Sequence, residues 1–422
     1  MDVFGTSLMT VAAFVAVGFP WRSLGRKLGL PPAVSLMALG VLVGPDLLNV
    51  VPPSYVSAHA TWISGAAFAI LLVRAGLGVV VERRVLLSAL FLGLGPVAVE
   101  FGVLAGGSRW LVFERWDLCW LFAFLLAAVS PAVILPTMLE QKLRGRGAFH
   151  RVPDRIMGAT VINAFIAQTG ILALLDHMTP PHPDATVLIP LHWPVTGRLV
   201  VGLGVGVLLG ILIGVVLPLP RVPAKNGGGD EPRRRATLLM ALTGIAVYFA
   251  GRRLGFESVF ATLAVGAVAH RRLGLSALHV ERGLRRVWSF AEILLFANLG
   301  MRISVSHLTD PRLLAFLFLL IAVALGFRIR SAYYVARWGG LPAPESTYVS
   351  LAQIPKATIQ AVFGALPLQR FLEAEAQQLV PAGSTLLVAA VLAIVMTAPA
   401  GAVVLDRWAK TLMPQRQEGD VA

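Results

Sequence analysis

The segment AQIPKATIQ, residues 352–360, places a proline and a lysine in the middle of an apolar stretch long enough to cross a membrane. A second apolar stretch, LAAVSPAVILP at 126–136, also contains internal prolines. Proline removes a backbone donor and clashes with the preceding helical turn. In lipid, the carbonyls that lose their partners must be satisfied by protein or water. We therefore expect two interrupted membrane helices, at 117–139 and 346–368.

Apolar segments of similar length recur along the whole chain. Of its 422 residues, 57% are hydrophobic and only 14% are charged, whereas a soluble domain has about 25% charged residues. The pattern predicts an all-α polytopic membrane protein with about thirteen transmembrane helices. A tight turn at Gly251-Arg252-Arg253 is expected to separate the eighth span from the ninth. The predicted spans are 3–20, 31–48, 60–80, 86–107, 117–139, 156–176, 196–219, 236–252, 256–271, 286–305, 312–335, 346–368 and 382–405.

The basic residues in the loops predict the orientation in the membrane. When successive loops are assigned to alternate sides, one side collects 25 of the 36 Lys and Arg residues, the other side collects 8, and 3 lie inside spans. Positive residues concentrate in cytoplasmic loops, so we predict an N-terminus outside and a C-terminus in the cytoplasm. The net charge of +14 then reflects topology and not a nucleic-acid partner.

The chain is expected to be one transporter unit made of two halves. The polar segment 220–235, which contains Gly227-Gly228-Gly229 and Arg233-Arg234-Arg235, is predicted to be a cytoplasmic linker between 1–219 and 236–405, and 406–422 a cytoplasmic tail. The interrupted spans are the fifth and the twelfth, so they occupy equivalent positions in halves of opposite orientation. Paired interrupted helices in inverted repeats mark the substrate site of many secondary transporters.

Three segments resemble the monovalent cation/proton antiporter superfamily, most closely its NHA-type sodium/proton exchanger branch. They are AVSPAVILPTMLEQK at 128–142, IPKATIQAVFGALPL at 354–368 and VWSFAEILLFANLGMRIS at 287–304. Arg328 also falls where that family keeps an arginine. The resemblance implies a 13-helix fold with a core domain in which the interrupted helices cross, and a dimerisation domain. It further implies a homodimer in the lipid bilayer, here predicted to be a bacterial inner membrane, with a monovalent cation and protons as substrates.

The resemblance also implies an ion site on the sixth span, and that site departs from the family pattern. Family members carry an Asp-Asp or Asn-Asp pair there, whose carboxylate binds a cation or a proton in turn. The corresponding residues in TVINAFIAQ, 160–168, are Asn163 and Ala164, and no acidic residue occurs between Arg155 and Asp176. The essential acid is therefore missing.

The charged residues that remain inside spans are functional candidates, because such residues are costly in a bilayer. Without the acid on the sixth span, Lys356 is expected to lack its counter-ion and to be deprotonated, hydrated or bound to an anion; a vestigial lysine is the alternative. Glu292 is the candidate for a relocated carboxylate. Further ion-site candidates are Ser130, Pro131 and Gln168, and structural or ion-pair roles are expected for Arg302, Arg328, Glu100 and Arg74.

Three functions remain open at this point. The first is cation/proton exchange at a relocated carboxylate, and the second is transport of another ion, such as an anion held by Lys356. The third is a transport-inactive membrane partner or sensor. The sequence contains no enzyme motif, cofactor motif or metal-ligand spacing, and its single cysteine, Cys119, excludes an intrachain disulfide. Glycines at 202, 206, 210 and 214 predict a face for close helix packing.

Overall fold

The computed structural model describes residues 3–28, 30, 32–45, 47–51, 53–78, 83–179, 195–216, 230–273, 277–301 and 310–413. In these ranges the chain forms α-helices and no strand element. A short 3-10 turn, Gln377–Leu379, precedes the last helix. The helices are α1 (Val3–Lys27), α2 (Pro32–Val43), α3 (Pro53–Gly78), α4 (Arg83–Leu111), α5 (Trp116–Ala127), α6 (Pro131–Leu143), α7 (Val152–Met178), α8 (Val195–Val216), α9 (Asp230–Leu254), α10 (Ser258–Leu273), α11 (Ala277–Met301), α12 (Pro311–Trp338), α13 (Ala343–Leu351), α14 (Thr358–Phe363), α15 (Leu366–Glu373) and α16 (Val380–Leu412).

The all-helical membrane architecture is confirmed. Each of the thirteen predicted spans overlaps one helix or one interrupted pair of helices, and the span 346–368 also includes the first residues of α15. Within the described ranges, six helical stretches are long and apolar enough to cross a membrane by themselves. Large apolar side chains such as Val200, Leu208 and Phe91 are exposed on the helix surfaces, as expected for side chains that face lipid. The number of crossings and the inverted repeat remain predictions.

The two predicted interruptions are present. The first stretch ends as α5 at Ala127, and α6 begins at Pro131. The second ends as α13 at Leu351, and α14 begins at Thr358. Proline is favourable as the first residue of a helix, because its missing N–H would have no intrahelical partner there.

The structure differs from the sequence prediction at two boundaries. α9 continues through Gly251-Arg252-Arg253 to Leu254, and the chain turns at Gly255, whose φ is +89°. Glycine adopts this left-handed backbone without a Cβ penalty, and arginines in a last turn complement the helix dipole. The linker predicted at 220–235 is already helical from Asp230, because acidic residues and a proline suit the first turn of a helix. Residues 220–229 lie outside the described ranges.

The described helices group into two compact units. The first unit contains Met1–Val56, Val80–Pro180 and Phe296–Ala422, and therefore both interrupted pairs. The second contains Ser57–Val79 and Pro181–Leu295. Its core consists mainly of small and aliphatic side chains from α3, α8, α9, α10 and α11, among them Val73, Met240 and Val265, together with Phe256.

The predicted glycine face on α8 packs against α10 inside the second unit. A Cβ added at Gly202 would lie 2.4 Å from the carbonyl oxygen of Glu257, and one added at Gly206 would lie 2.2 Å from that of Ala261. Only glycine allows the two backbones to approach so closely.

We expect Gly206→Ala to destabilise the protein, because α8 and α10 must separate to accommodate the methyl group. Overpacking of this kind costs about 1–3 kcal/mol. Gly204→Ala is the matched control, since a Cβ at Gly204 meets no atom within 4 Å and both substitutions add the same helix propensity. Thermal unfolding of the purified protein measures the difference. Equal melting temperatures for the two variants would contradict this packing.

Candidate ion-binding site

The two interruptions contact each other, and each helix start is completed by a side chain from the other segment. The hydroxyl groups of Ser130 and Thr358 lie 2.8 Å apart. Thr358 Oγ1 accepts a hydrogen bond from the backbone N–H of Ala132 at 3.1 Å. In return, Ser130 Oγ accepts one from the N–H of Thr358 at 3.3 Å. This reciprocal capping supplies the first turns of α6 and α14 with acceptors that their own helices cannot provide.

The carbonyl groups left open at the end of α5 are also satisfied by side chains. Gln360 Nε2 donates to the carbonyl oxygens of Leu125 at 2.9 Å and Ala128 at 3.1 Å. Arg328 Nη1 donates to the carbonyl oxygen of Ala127. The backbone N–H of Ser130 donates to Pro355 O at 2.8 Å. The interruption is therefore a hydrogen-bonded structure, as a break at membrane depth requires.

A cluster of three charged side chains lies beside this crossing; we call Glu100, Arg328 and Lys356 the charged cluster. Arg328 Nη1 lies 2.5 Å from Glu100 Oε2, and Lys356 Nζ lies 2.7 Å from Glu100 Oε1. All three residues have a relative exposure of 0%. Two cations thus share one carboxylate, each using a different oxygen, and one positive charge remains in excess when all three groups are ionised.

Two amide side chains fix the arginine of the charged cluster. Arg328 Nη2 donates to Asn163 Oδ1 at 2.6 Å and to Gln353 Oε1 at 2.9 Å. Asn163 Nδ2 in turn donates to the carbonyl oxygen of Gly93 at 2.9 Å. A Cβ at Gly93 would lie 2.9 Å from Ile162, so this glycine lets α4 approach α7. Asn163 therefore orients Arg328, and its carbonyl oxygen is already engaged.

The structure corrects the prediction that Lys356 lacks a counter-ion. Glu100, for which a structural role or an ion pair is expected from the sequence, supplies it from α4. Glu100 and Arg328 do form an ion pair, and Arg74 forms one with Glu281 at 3.0 Å in the second unit.

The other predicted site residues lie in different places. Ser130 and Pro131 are at the crossing, while Ala164 and Gln168 are buried on α7 with relative exposures of 2% and 1%. Glu292 lies on the part of α11 that belongs to the second unit, where it interacts electrostatically with Arg74. Arg302 lies outside the described residues. A role of Glu292 in transport stays a prediction.

Four polar residues at the crossing were not singled out in the sequence: Gln353, Thr358, Gln360 and Thr397. Thr397 on α16 accepts a hydrogen bond from the backbone N–H of Lys356 at 2.9 Å. The first three stand in the quoted segment 352–360, so their polarity inside an apolar span was a usable signal. Thr397 is one of four hydroxyl residues in a long apolar helix, and nothing in the sequence distinguishes it from the others.

Comparison with known proteins identifies the family of the chain. The family described as "Sodium/hydrogen exchanger, transmembrane" matches residues 11–408. Sodium/hydrogen exchanger 9B1 of Macaca fascicularis is 27% identical over 413 residues, which cover 96% of this chain and 77% of that protein. Sodium/hydrogen exchanger 9B2 of Xenopus tropicalis is 30% identical over 380 residues, covering 87% of this chain and 67% of that protein.

The fold also matches a solved structure. The sodium proton antiporter MjNhaP1 from Methanocaldococcus jannaschii at pH 8 superposes with a TM-score of 0.72, covering 97% of this chain and 99% of that one. At 15% sequence identity, this likeness concerns the fold alone.

Proposed function

The chain belongs to the sodium/hydrogen exchanger family, and we propose that it exchanges a monovalent cation bound at Glu100 for a proton bound at Lys356, instead of using a carboxylate on α7. One observation carries the proposal: the carboxylate of Glu100 lies in the charged cluster beside the crossing, with one oxygen on Arg328 and the other on Lys356. Asn163 and Ala164 have no carboxylate to offer.

The two cations of the charged cluster differ in their chemistry. An arginine guanidinium stays protonated in proteins, whereas a buried lysine can lose its proton. Loss of the proton from Lys356 would remove the charge that holds Glu100 Oε1. A dehydrated monovalent cation could then bind that oxygen, while Arg328 keeps the other oxygen in place.

The competition between the proton on Lys356 and the cation on Glu100 determines the charge balance of the proposed exchange. With Lys356 protonated, the charged cluster carries one net positive charge. With Lys356 neutral and a monovalent cation on Glu100, it again carries one net positive charge. Because one proton replaces one cation, the proposed exchange is one-to-one and moves no net charge across the membrane.

The excess positive charge also supports a second candidate, an anion site at Lys356. A small anion would neutralise the charged cluster while Glu100 stays paired with Arg328. Transport of the anion would then depend on Lys356 and would not require a cation gradient.

The proposed function is tested in proteoliposomes with a trapped pH indicator and imposed gradients of sodium, lithium, potassium or chloride. We expect an added alkali cation to drive proton movement that does not change when the membrane potential is clamped. Lys356→Gln, which removes the exchangeable proton, is expected to lower this flux at least about tenfold, equivalent to about 1.4 kcal/mol. Glu292→Gln serves as the control and should keep the flux.

The other outcomes separate the alternatives. Loss of flux in Glu292→Gln with retention in Lys356→Gln would assign the exchange to the relocated carboxylate on α11. Dependence on chloride without a cation requirement would favour the anion site. Absence of flux under every gradient, with correctly folded protein in the vesicles, would leave the transport-inactive partner or sensor.

We also propose the orientation and assembly that the sequence predicted, namely an outside N-terminus, a cytoplasmic C-terminus and a homodimer in a bacterial inner membrane. The loop bias of 25 to 8 basic residues supports the orientation. Labelling of single cysteines introduced at Ser57 and Gly228 tests it, since both on one side would exclude it. Native mass spectrometry in a lipid-like detergent measures the assembly, and a monomer there would count against the dimer.

A further inference from the structure

A groove of about 450 Å³ lies between α12 and α13 in the first unit; we call it the α12–α13 groove. Liquid water occupies about 30 Å³ per molecule, so the groove has room for a lipid headgroup and not only for a few water molecules. Four of its lining residues stand on α12 and two on α13, namely Gly326, Ile329, Arg330, Tyr333, Thr347 and Ser350. The groove is therefore built by two neighbouring helices of one unit.

Gly326 keeps the groove open on the side of α12. A Cβ added at this exposed glycine would meet no atom within 4 Å, so close helix packing does not explain why a side chain is absent here. Because Gly326 lines the groove, a larger side chain is expected to occupy part of the groove without displacing a neighbouring residue.

Arg330 brings a positive charge to the groove that no described acidic residue neutralises. Its guanidinium lies over the ring of Tyr334, 5.0 Å from the ring centroid. It forms no ion pair or hydrogen bond with a residue that the structure describes, so its N–H donors remain available. An arginine on a membrane helix is costly without a polar partner, and the groove provides space for one beside it.

The hydroxyl groups of the lining differ between the two helices. The hydroxyl of Tyr333 on α12 makes no hydrogen bond with a described residue and is therefore a further donor. On α13, Thr347 Oγ1 already donates to the carbonyl oxygen of Ala343 at 2.9 Å, and Ser350 Oγ donates to that of Thr347 at 2.7 Å. The lining thus offers donors from α12, which suits a ligand whose anionic oxygens face that helix.

The exposed side of α12 indicates where the groove lies in the membrane. The helix is long and apolar enough to cross a bilayer, and Phe327, Tyr334 and Trp338 have relative exposures of 55%, 41% and 83%. The rings of Tyr334 and Trp338 lie 6.5 Å apart at the end of the helix, and such residues concentrate where acyl chains meet headgroups. Arg330 stands one turn before Tyr334, close to the level of the lipid phosphates. The predicted topology makes this the cytoplasmic side, where membranes present anionic lipids.

We propose that the α12–α13 groove binds the phosphate of an anionic membrane lipid. The planar guanidinium of Arg330 matches two phosphate oxygens at once, and the hydroxyl of Tyr333 donates from one turn further along the same helix. The apolar side chain of Ile329 borders the space for the start of the acyl chains. The lipid phosphate thereby supplies the anion that Arg330 lacks among the described residues.

A lipid bound in the groove would link two segments of the candidate ion-binding site. α12 also carries Arg328, and α13 ends at the second interruption. Ser350 of the lining stands three residues before Gln353, whose Oε1 accepts a hydrogen bond from Arg328 at 2.9 Å. The lipid is therefore expected to stabilise the packing of α13 against α12, whether or not the proposed cation exchange takes place.

Thermal unfolding of the full chain in a neutral detergent tests the proposal without any transport assay. We expect phosphatidylglycerol to raise the melting temperature by at least about 3 °C over an equal amount of phosphatidylcholine, as a ligand that binds only the folded state does. The shift should disappear in Arg330→Gln, which removes the phosphate donors. It should also disappear in Gly326→Leu, which fills part of the groove and leaves Arg330 in place.

Each variant has a matched control that should keep the lipid shift. Arg312→Gln removes the same charge from an exposed residue of the same helix that does not line the groove. Gly102→Leu adds the same side chain at an exposed glycine of α4, where a Cβ also meets no atom within 4 Å. Equal lipid shifts in Arg330→Gln and Arg312→Gln, or equal shifts of the parent with both lipids, would overturn the proposal.

Two further arms test other occupants of the groove. Inorganic phosphate is compared with chloride at equal ionic strength, and a shift with inorganic phosphate as large as that with phosphatidylglycerol would overturn the assignment to a lipid. Native mass spectrometry compares the parent with Gly326→Leu. A parent dimer that is lost in Gly326→Leu and kept in Gly102→Leu would assign the groove to a second copy of the chain instead.

Discussion

Ala164→Asp is expected to create or strengthen sodium- or lithium-dependent proton movement in proteoliposomes. The substitution returns a carboxylate to the position where the sequence resemblance implies the family's ion site. The position is next in sequence to Asn163, whose side chain contacts Arg328 of the charged cluster. A buried carboxylate can supply charge to a dehydrated cation and take up the competing proton, which alanine cannot do. We expect at least a tenfold rise in cation-dependent proton flux, equivalent to about 1.4 kcal/mol.

The matched control for this experiment is Ala164→Asn, which has nearly the same size as the aspartate variant and no charge. Flux that rises in the aspartate variant and not in the asparagine variant assigns the effect to the carboxylate. A correctly folded aspartate variant with unchanged flux would show that α7 no longer carries a usable ion site. That result would leave Glu100 as the candidate carboxylate in the first unit.

Glu100→Gln is expected to destabilise the protein strongly, whereas Lys356→Gln should cost little stability or increase it. The reason is that the charged cluster contains two cations and only one carboxylate. Removing Glu100 leaves two buried cations without a counter-ion, and breaking a buried ion pair costs about 3–5 kcal/mol. Removing Lys356 leaves Arg328 and Glu100 as a matched pair at 2.5 Å and takes away the excess charge.

Thermal unfolding in detergent measures both variants against the parent. If Glu100→Gln yields too little folded protein, Glu100→Gln combined with Lys356→Gln provides the comparison, because it buries one unmatched cation instead of two. The double variant should then be more stable than Glu100→Gln alone. An equal loss of stability in Lys356→Gln and Glu100→Gln would contradict the charge balance described for the charged cluster.

The stability measurements and the transport measurements test two different statements about the charged cluster. The stability of Glu100→Gln tests whether the charged cluster is held by one shared carboxylate. The flux of Lys356→Gln tests whether the proton on that lysine takes part in exchange. A stable Lys356→Gln variant that has lost its flux would support both statements, since loss of folding could not explain the lost activity.

The sequence alone determined the helical membrane architecture and the two interruptions. Both follow from local composition, because apolar length predicts a membrane helix and an internal proline such as Pro131 or Pro355 predicts a break. The sequence also predicts a missing acid, since Asn163 and Ala164 stand where the resemblance implies an acidic pair. The exact helix ends are harder to predict from the sequence. The chain turns after α9 at Gly255, but Gly251, which is followed by two arginines, is an equally plausible helix end in the sequence.

Only the tertiary structure decided which charges meet. Glu100 and Arg328 are 228 residues apart in the chain, and both read from the sequence as isolated charges inside separate apolar spans. The packing of α4 against α7 and α12, together with the crossing of the interrupted helices, places Lys356 on the second oxygen of Glu100. A one-dimensional pattern gives the period and length of each helix but not the rotation of one helix against another. The counter-ion of Lys356 therefore became known only from the fold, because ion pairing at 2.7 Å depends on that rotation.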